Sequence, residues 1–461
     1  MTRKTMLLKP VLCTATAIAA LMGSTFYASA ADNLNDALAT AYLNNPDLEA
    51  ARASQRAVDE TVNQAIAGWR PTIVGTGQWS KQENERTGAF SNNATTTPKS
   101  IGISIEQPVF RSFQTVNGTK EARSNAEAGR AQLANTEQQI LLNVVAAYSD
   151  VIRDEAFLEF TTNNVIALQR QLQASEDRFA VGEITRTDVA QSRARLSRAQ
   201  SEKIAAEATL TASRAAFQRV VGNEPGTLER EVQLPPLPAS EEAAYDIASR
   251  NHPLIVAANA SEKAADYAVK KQYGGLGPTV NVGASWTKSW DSFLPGDRST
   301  AKAIYANLRV PIYQAGIQAS IVRQSKQRRS QFRMEAISAE RQVQELVRNA
   351  WESYREASAR IVSTQAQLDA NEIALEGVRQ EADVGSRTIL DVLDAEQELL
   401  DARVNNARAV RDRTVAAYNL IANIGQLNAT DLGLNVPFYD AEQRSKDVEH
   451  KIYGFSAGDN D

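Results

Sequence analysis

The sequence predicts a mainly α-helical fold that is built from two copies of one plan and includes four β-strands suited to a membrane barrel. Three observations lead to this prediction. The chain repeats itself at a spacing of 203 to 207 residues. Each copy contains a helical pattern long enough to span about 100 Å, at 1.5 Å per residue. Each copy also has two short segments in which apolar residues alternate with polar or small ones, a pattern typical of tilted membrane strands.

The internal repeat is visible in matching motifs. NNPDLEAA at 44–51 matches NHPLIVAA at 251–258 with an offset of 207 residues. QPVF at 107–110 matches VPIY at 310–313 with an offset of 203 residues, and this offset then persists. A surface loop between the motifs therefore differs in length by four residues, which loops tolerate well.

The copies are predicted to lie between an export signal and a polar tail. A basic start, an apolar run and the small residues Ala28 to Ala30 predict a secretory signal peptide, with a short N-terminal anchor as the alternative. The polar and charged segment after Pro437 is expected to be mobile. The expected boundaries are 1–30 for the signal peptide, 31–222 for the first repeat, 223–240 for the connector, 241–425 for the second repeat and 426–461 for the tail.

Composition argues against several classes of function. Without the three basic residues of the predicted signal peptide, 47 basic residues face 55 acidic ones, which disfavours nucleic acid as a partner. Cys13 is the only cysteine and lies in that peptide, so no disulfide is expected in the mature chain. The two histidines, His252 and His450, have no nearby ligand set, and the sequence lacks the common phosphate-loop, zinc-protease and nucleophile motifs. Neither an enzyme nor a cofactor or metal site is expected.

Each copy is predicted to contain a helix, two strands, a long helix and a shorter helix. In the first copy they cover 33–68, 72–79, 100–107, 112–180 and 186–221. In the second copy they cover 241–273, 279–287, 303–310, 315–383 and 389–424. The hairpin loops are expected at 80–99 and 288–302. Two short helices placed end to end match one long helix, so each copy predicts a rod with a β-hairpin at one end.

The strands favour a membrane location. In the strand at 100–107, Ile101, Ile103 and Ile105 alternate with small or polar residues. Four strands cannot close a barrel, and open edges do not persist in lipid, so two or three chains must combine into eight or twelve strands. The alternative from another class is a periplasmic coiled-coil adaptor or structural rod, which would not need four alternating strands.

Two matching turns between helices complete the pattern. RFAVGEITRTDVAQSRARL at 178–196 and ADVGSRTILDVLDAEQEL at 382–399 share Val-Gly before the turn and Thr-x-x-Asp-Val after it. With the duplicated plan, these motifs resemble the TolC family of outer-membrane export channels. The resemblance covers essentially the whole mature chain. It implies a TolC-like homotrimer, with a twelve-stranded barrel of four strands per chain on a long periplasmic α-helical tunnel.

The resemblance also implies location, partners and function. The channel would lie in the outer membrane of a Gram-negative bacterium, in contact with outer-membrane lipid, and extend into the periplasm. Its partners would be a periplasmic adaptor (membrane fusion) protein and an inner-membrane pump of the RND or ABC type, whose docking opens the channel. The implied function is the passive exit duct of a tripartite efflux pump that expels drugs and other toxic compounds. The alternative is the outer-membrane component of type I protein secretion.

The turn residues have both structural and functional interpretations. Gly182 and Gly385 can adopt the left-handed conformation that ends a helix, and each Thr-x-x-Asp that follows can cap the next helix. Asp394 lies one turn beyond Asp391, and its equivalent in the first copy is Gln191. Because carboxylate rings select cations, the resemblance implies a selectivity ring of Asp391 and Asp394 at the periplasmic entrance. The alternative is a solvated helix face.

The resemblance further implies a gate latch. Arg387 would bind Thr187 and Asp188 at the first turn and hold the tip closed. A tyrosine of the family's network is replaced by Ala382, so one link is absent. The expected adaptor-contact residues are Val181, Gly182, Val384 and Gly385.

Overall fold

The computed structural model describes residues 33–84, 94–292, 296–449 and 451–454 of the 461-residue chain. The predicted signal peptide and parts of the predicted hairpin loops and tail lie outside the described residues. The first half contains α1 Leu34–Asn44, α2 Pro46–Ile66, β1 Thr72–Trp79, β2 Gln82–Asn84, β3 Ala94–Thr96, β4 Lys99–Phe110, α3 Gln114–Ala180 and α4 Arg186–Val221. The second half contains α5 Glu241–Asn251, α6 Pro253–Gly274, β5 Thr279–Trp290, β6 Arg298–Arg309, α7 Ile317–Asp383, α8 Ile389–Asn423 and α9 Ala441–Glu449.

The two long helices organise the helical part. α3 and α7 have 67 residues each, which corresponds to about 100 Å. α4 returns along α3 and α8 returns along α7, while α2 and α6 pack against the halves nearer the strands. α8 also packs on α3, and α6 packs on α7. Four helices therefore lie side by side both in the half near the strands and in the half away from them. None of the helices in the described residues combines the length and apolarity that a membrane span requires.

Each predicted flanking helix is interrupted once, which the sequence analysis missed. Asn45 separates α1 from α2, and its Oδ1 accepts hydrogen bonds from two of the next backbone N–H groups at 2.9 and 3.3 Å. His252 separates α5 from α6, and its Nδ1 accepts one at 3.2 Å. Pro46 and Pro253 follow at the first helical position, where a missing N–H costs no hydrogen bond. Both copies therefore share a helix break at the matching position, which is capped by Asn45 in the first copy and by His252 in the second.

The main apolar core lies where the short helices meet end to end along α3 and α7. Its buried side chains include Tyr148, Phe217, Tyr418, Leu420 and Ile424. The connector contributes Leu228, and the segment after α8 contributes Leu427 and Leu434. The hydroxyls of Tyr148 and Tyr418 donate to connector carbonyls at 3.0 and 3.1 Å. The connector is thus packed against this core. The level at which the short helices meet end to end is called the waist below.

The C-terminal tail differs from the expected mobile segment over its described residues. α9 packs against α2, and Arg123 Nε donates to Glu449 Oε1 at 3.0 Å. Asn63 Nδ2 and Arg70 also donate to the carbonyl of Lys451, at 2.9 and 3.3 Å. The polar composition is that of a surface helix with charged and backbone contacts.

β1, β4, β5 and β6 form one antiparallel sheet in that order, and β2 pairs with β3. The register places Ile73, Ile105, Ala284 and Ile304 in one row on one face. Ile73 and Ile304 are 68% and 86% exposed, as expected of side chains that contact lipid. β4, β5 and β6 have 12 residues each and extend into the segments predicted as loops, because their polar ends continue the pairing.

Candidate functional site at the helical tip

Each long helix ends in the same turn, at the end of the molecule away from the sheet. Gly182 and Gly385 have φ angles of 84° and 80°, which is the left-handed region. Their N–H groups donate to the carbonyls of Phe179 and Ala382 at 3.0 Å in both turns. No atom lies within 4 Å of where a Cβ would sit on either glycine, so the backbone angle and not a lack of space requires glycine here.

The two following helices begin with identical capping boxes. Asp188 Oδ2 accepts from the Thr185 N–H at 2.8 Å, and Thr185 Oγ1 accepts from the Asp188 N–H at 3.3 Å. Asp391 and Thr388 make the same two bonds at 2.9 and 3.3 Å. The backbone N–H of each threonine stabilises the carboxylate, so the pKa values of Asp188 and Asp391 lie below their ordinary value.

Arg387 contacts its own turn in the single chain. Its Nε donates to Glu381 Oε2 at 2.8 Å, and this hydrogen bond raises the pKa of the Arg387 guanidinium. The positive charge also helps to lower the pKa of Asp391. Thr187 and Asp188 lie on the other turn, and Asp188 is engaged in its own cap. The single chain therefore does not bring the three expected latch residues together.

Asp394 has a partner that the sequence analysis did not identify. Arg195 of α4 donates to Asp394 Oδ1 of α8 at 2.5 Å, with the side chains 30% and 55% exposed. Next to Asp394 in sequence, Leu393 is buried in a small cluster with Val165, Leu168 and Ala199. In the repeat, Arg195 matches Glu398 and Asp394 matches Gln191. Positions at which the two copies differ in charge were therefore the available clue to this ion pair.

A second pair of matching positions differs in charge between the copies and forms an ion pair inside each helical hairpin. Arg193 of α4 pairs with Glu176 of α3 at 2.9 Å. At the matching positions, Glu396 of α8 pairs with Arg379 of α7, also at 2.9 Å. The same contact is kept with the charges exchanged. Each hairpin has its own ion pair, whereas Arg195 and Asp394 connect the two hairpins.

The residues expected to contact an adaptor form the outermost surface of the tip. Val181 and Val384 are 73% and 81% exposed, and Gly182 and Gly385 beside them are also exposed. This exposure leaves both valine side chains accessible to another protein. Asp391 is half-buried and Asp394 is exposed one turn further from the end.

Comparisons with known proteins give the family. Residues 37–223 and 244–426 match the family described as Outer membrane efflux protein. The chain is 35% identical to Outer membrane efflux protein BepC of Brucella suis biovar 1, with 94% of each chain covered. It is 26% identical to Outer membrane protein TolC of Vibrio cholerae, over 90% of this chain and 95% of that protein. It is also 24% identical to Alkaline protease secretion protein AprF of Pseudomonas aeruginosa, over 72% of this chain and 70% of that one.

A solved structure of CusC has the same fold. The TM-score is 0.76 at 19% identity, with 86% of this chain and 93% of that chain covered. The duplicated helical plan, the four-stranded sheet and the two tip turns thus agree with the sequence comparisons. Like its relatives, the protein resides in the outer membrane and extends into the periplasm. The chain belongs to the outer membrane efflux protein family, whose members are TolC-like channels.

Proposed function

We propose that the protein is the passive outer-membrane exit duct of a tripartite efflux pump that expels drugs and other toxic compounds. One observation supports this most strongly: a sheet with an exposed apolar face continues directly into helices of 67 residues. The sheet can enter lipid while the helices extend about 100 Å below it. Such a chain connects the cell exterior with a partner deep in the periplasm. The soluble rod considered above does not account for this sheet or for the family membership.

Three copies would complete the barrel. β1 and β6 form the edges of the four-stranded sheet in the single chain. Unpaired edges are unfavourable in lipid, and the family forms trimers. Twelve strands then form a closed barrel whose inner face includes Glu106, which accepts a hydrogen bond from Asn281 Nδ2 at 2.8 Å. A water-filled duct follows from this polar lining.

Asp391 and Asp394 are proposed to form the selectivity ring at the periplasmic entrance. Each carboxylate has an arginine neighbour in the chain, Arg387 for Asp391 and Arg195 for Asp394. In the closed tip these arginines offset part of the negative charge. Opening that separates Arg195 from Asp394 would increase the field that attracts cations. Selectivity and opening would therefore be coupled.

The latch is proposed to form between neighbouring hairpins of the trimer. Arg387 is exposed, and the one ion pair that it forms with the described residues is with exposed Glu381, so it can exchange Glu381 for Thr187 and Asp188 at little cost. A periplasmic adaptor that contacts Val181 and Val384 would pull on both turns. An inner-membrane pump would supply the energy, because the duct itself is passive.

Type I protein secretion is the second candidate, favoured by the similarity to AprF. The same trimer, adaptor and tip would serve either cargo, since a wide duct makes few specific contacts with it. Deletion of the gene distinguishes the two functions. Increased drug sensitivity with normal protein secretion supports efflux, whereas lost secretion with unchanged drug sensitivity supports the second candidate.

The channel proposal has a direct biochemical test. Membranes are fractionated, and the protein is run on detergent gels with and without boiling. We expect outer-membrane fractionation and a band that shifts from trimer to monomer on heating. A soluble monomer in the periplasmic fraction would overturn the proposal.

A further inference from the structure

The lipid-facing side of the sheet is apolar near the helices and becomes basic and aromatic toward the hairpin-loop end. Ile73, Ile105 and Ile304 define this outward face in the half that is nearer the helices. Because side chains alternate along a strand, the register assigns a second group to the same face at the loop end. This group, called the basic-aromatic patch, consists of Trp79, Lys99, Lys288, Trp290, Arg298 and Lys302.

The patch residues lie close together across all four strands. Trp79, Lys99, Trp290 and Arg298 occupy one row of the register. Lys288 Nζ lies 5.4 Å from the centre of the Trp290 ring, a cation–π contact. The row borders an open groove of about 730 Å³. Such a groove is large enough for a charged headgroup.

The patch is net positive. Its four basic side chains form no ion pair with any residue that the structure describes. Two carboxylates, Asp291 and Asp297, also line the groove. Asp291 Oδ1 already accepts the Gly296 N–H at 2.7 Å. The patch therefore has four positive charges, of which Lys99 and Arg298 line the groove together with these two carboxylates.

The charge is present at only one end of the outward face. Near the helices, this face presents Phe110, Val280 and Leu308 in one row, with no lysine or arginine. Lysines that merely extend from lipid toward water would be expected at both membrane surfaces. The helices leave the sheet at the opposite end and enter the periplasm. On the described strands, the outward-facing lysine and arginine side chains therefore lie at the loop end, which is the level of the outer leaflet.

We propose that the basic-aromatic patch binds a phosphate-bearing lipid of the outer leaflet, an inference that depends on the barrel of the proposed function. Arg298 and Lys99 hold the phosphate, because guanidinium and ammonium groups form charge-assisted hydrogen bonds with phosphate oxygens. Trp79 and Trp290 lie at headgroup level, where tryptophan rings are favoured. A trimer has three such sites. The bound lipid anchors the barrel in the asymmetric membrane.

The test compares lipids on the purified trimer in non-ionic detergent by native mass spectrometry. The probes are bisphosphorylated lipid A, the same lipid without phosphate, and inorganic phosphate as a competitor. We expect lipid A to bind at least about tenfold more tightly than the dephosphorylated lipid, because only lipid A offers phosphate oxygens to Lys99 and Arg298. Equal binding of the two lipids overturns the proposal, as does complete displacement of lipid A by millimolar inorganic phosphate.

Variants locate the site. Lys99→Gln combined with Arg298→Gln should reduce lipid A binding to the level of the dephosphorylated lipid, and Asp297→Asn should strengthen it. Lys81→Gln is the matched control, since Lys81 lies at the same end of the sheet but pairs with Glu83 at 3.7 Å. Wild-type affinity in the double variant contradicts the assignment. Conductance of the same preparations tests the duct separately, so a conducting channel that does not discriminate between lipids refutes only the patch.

Discussion

Arg195 and Asp394 form an ion pair that joins the two repeats at the tip of the molecule, with a separation of 2.5 Å between Nη2 and Oδ1. Each residue lies at a position where the other repeat has a different charge, so the repeat itself does not reproduce this contact. Leu393 packs against the first hairpin beside it. In the described tip, this ion pair and the apolar cluster around Leu393 both connect the two hairpins.

Reversing this ion pair should loosen the tip. Arg195→Glu places two carboxylates together, and we expect a larger single-channel conductance in planar bilayers. Exposed ion pairs contribute about 0–1 kcal/mol each, so three copies suffice to shift a weak equilibrium. The double variant Arg195→Glu with Asp394→Arg should restore the wild-type conductance. Arg193→Glu is the control, because Arg193 pairs with Glu176 within its own hairpin; equal effects of the two single variants would contradict a specific role for Arg195.

Replacement of Arg387 tests whether this side chain acts on the first turn, through Thr187 and Asp188, or on its own turn, through Glu381. Arg387→Ser should increase conductance if Arg387 binds Thr187 and Asp188 in the assembled tip. Thr187→Ala should then have the same direction of effect, whereas Glu381→Gln should leave conductance unchanged or lower it by freeing Arg387. If Glu381→Gln alone reproduces Arg387→Ser, the arginine acts through its own turn and the latch proposal is wrong.

Cation preference should persist in mildly acidic solution. The capping hydrogen bonds lower the pKa of Asp391 below its ordinary value of 3.8. A lowered pKa means that the cap stabilises the tip above the unfolded-state pKa and is lost as the pH falls through the folded-state value. Reversal potentials at pH 7 and pH 5 should therefore agree. The protection factor of the Thr388 amide against hydrogen exchange should fall only below about pH 4; a loss of protection near pH 6 would show that the carboxylate is not held in this way.

The waist should lose stability at lower pH because of His252. Burial lowers the pKa of this side chain from its ordinary value of 6.5 to about 4, and its neutral Nδ1 caps α6. The stabilisation is complete above pH 6.5 and is lost as the pH falls from there toward 4. His252→Asn substitutes the residue that caps the equivalent helix, Asn45, which does not titrate. Thermal unfolding of this variant should depend less on pH between 7 and 5; an unchanged pH dependence would exclude His252 as its source.

Local chemistry made much of this fold predictable from sequence. The left-handed glycines and the Thr-x-x-Asp capping boxes depend on residues within a few positions, and the structure has both. The strands were predictable from alternation. The breaks at Asn45 and His252 also had a local indication, since each precedes a proline, but the apolar pattern continued across them.

Contacts between distant helices were less predictable. Whether Arg195 meets Asp394 depends on how α4 and α8 are rotated about their axes, and these polar helices have no strong apolar stripe that fixes the rotation. The same limitation applies to α9, whose charged residues find partners 326 residues away in sequence. Capping was therefore predictable, whereas the pairing between repeats required the structure.

A cation-preferring duct is tested by the reversal potential of the purified protein in a planar bilayer under a KCl gradient. We expect discrete conductance steps and a reversal potential that indicates cation preference. We also expect that Asp391→Asn combined with Asp394→Asn moves the reversal potential toward zero. A preparation of folded trimer that gives no discrete steps, or a cation preference that the double variant leaves unchanged, would contradict a duct whose entrance is ringed by these carboxylates.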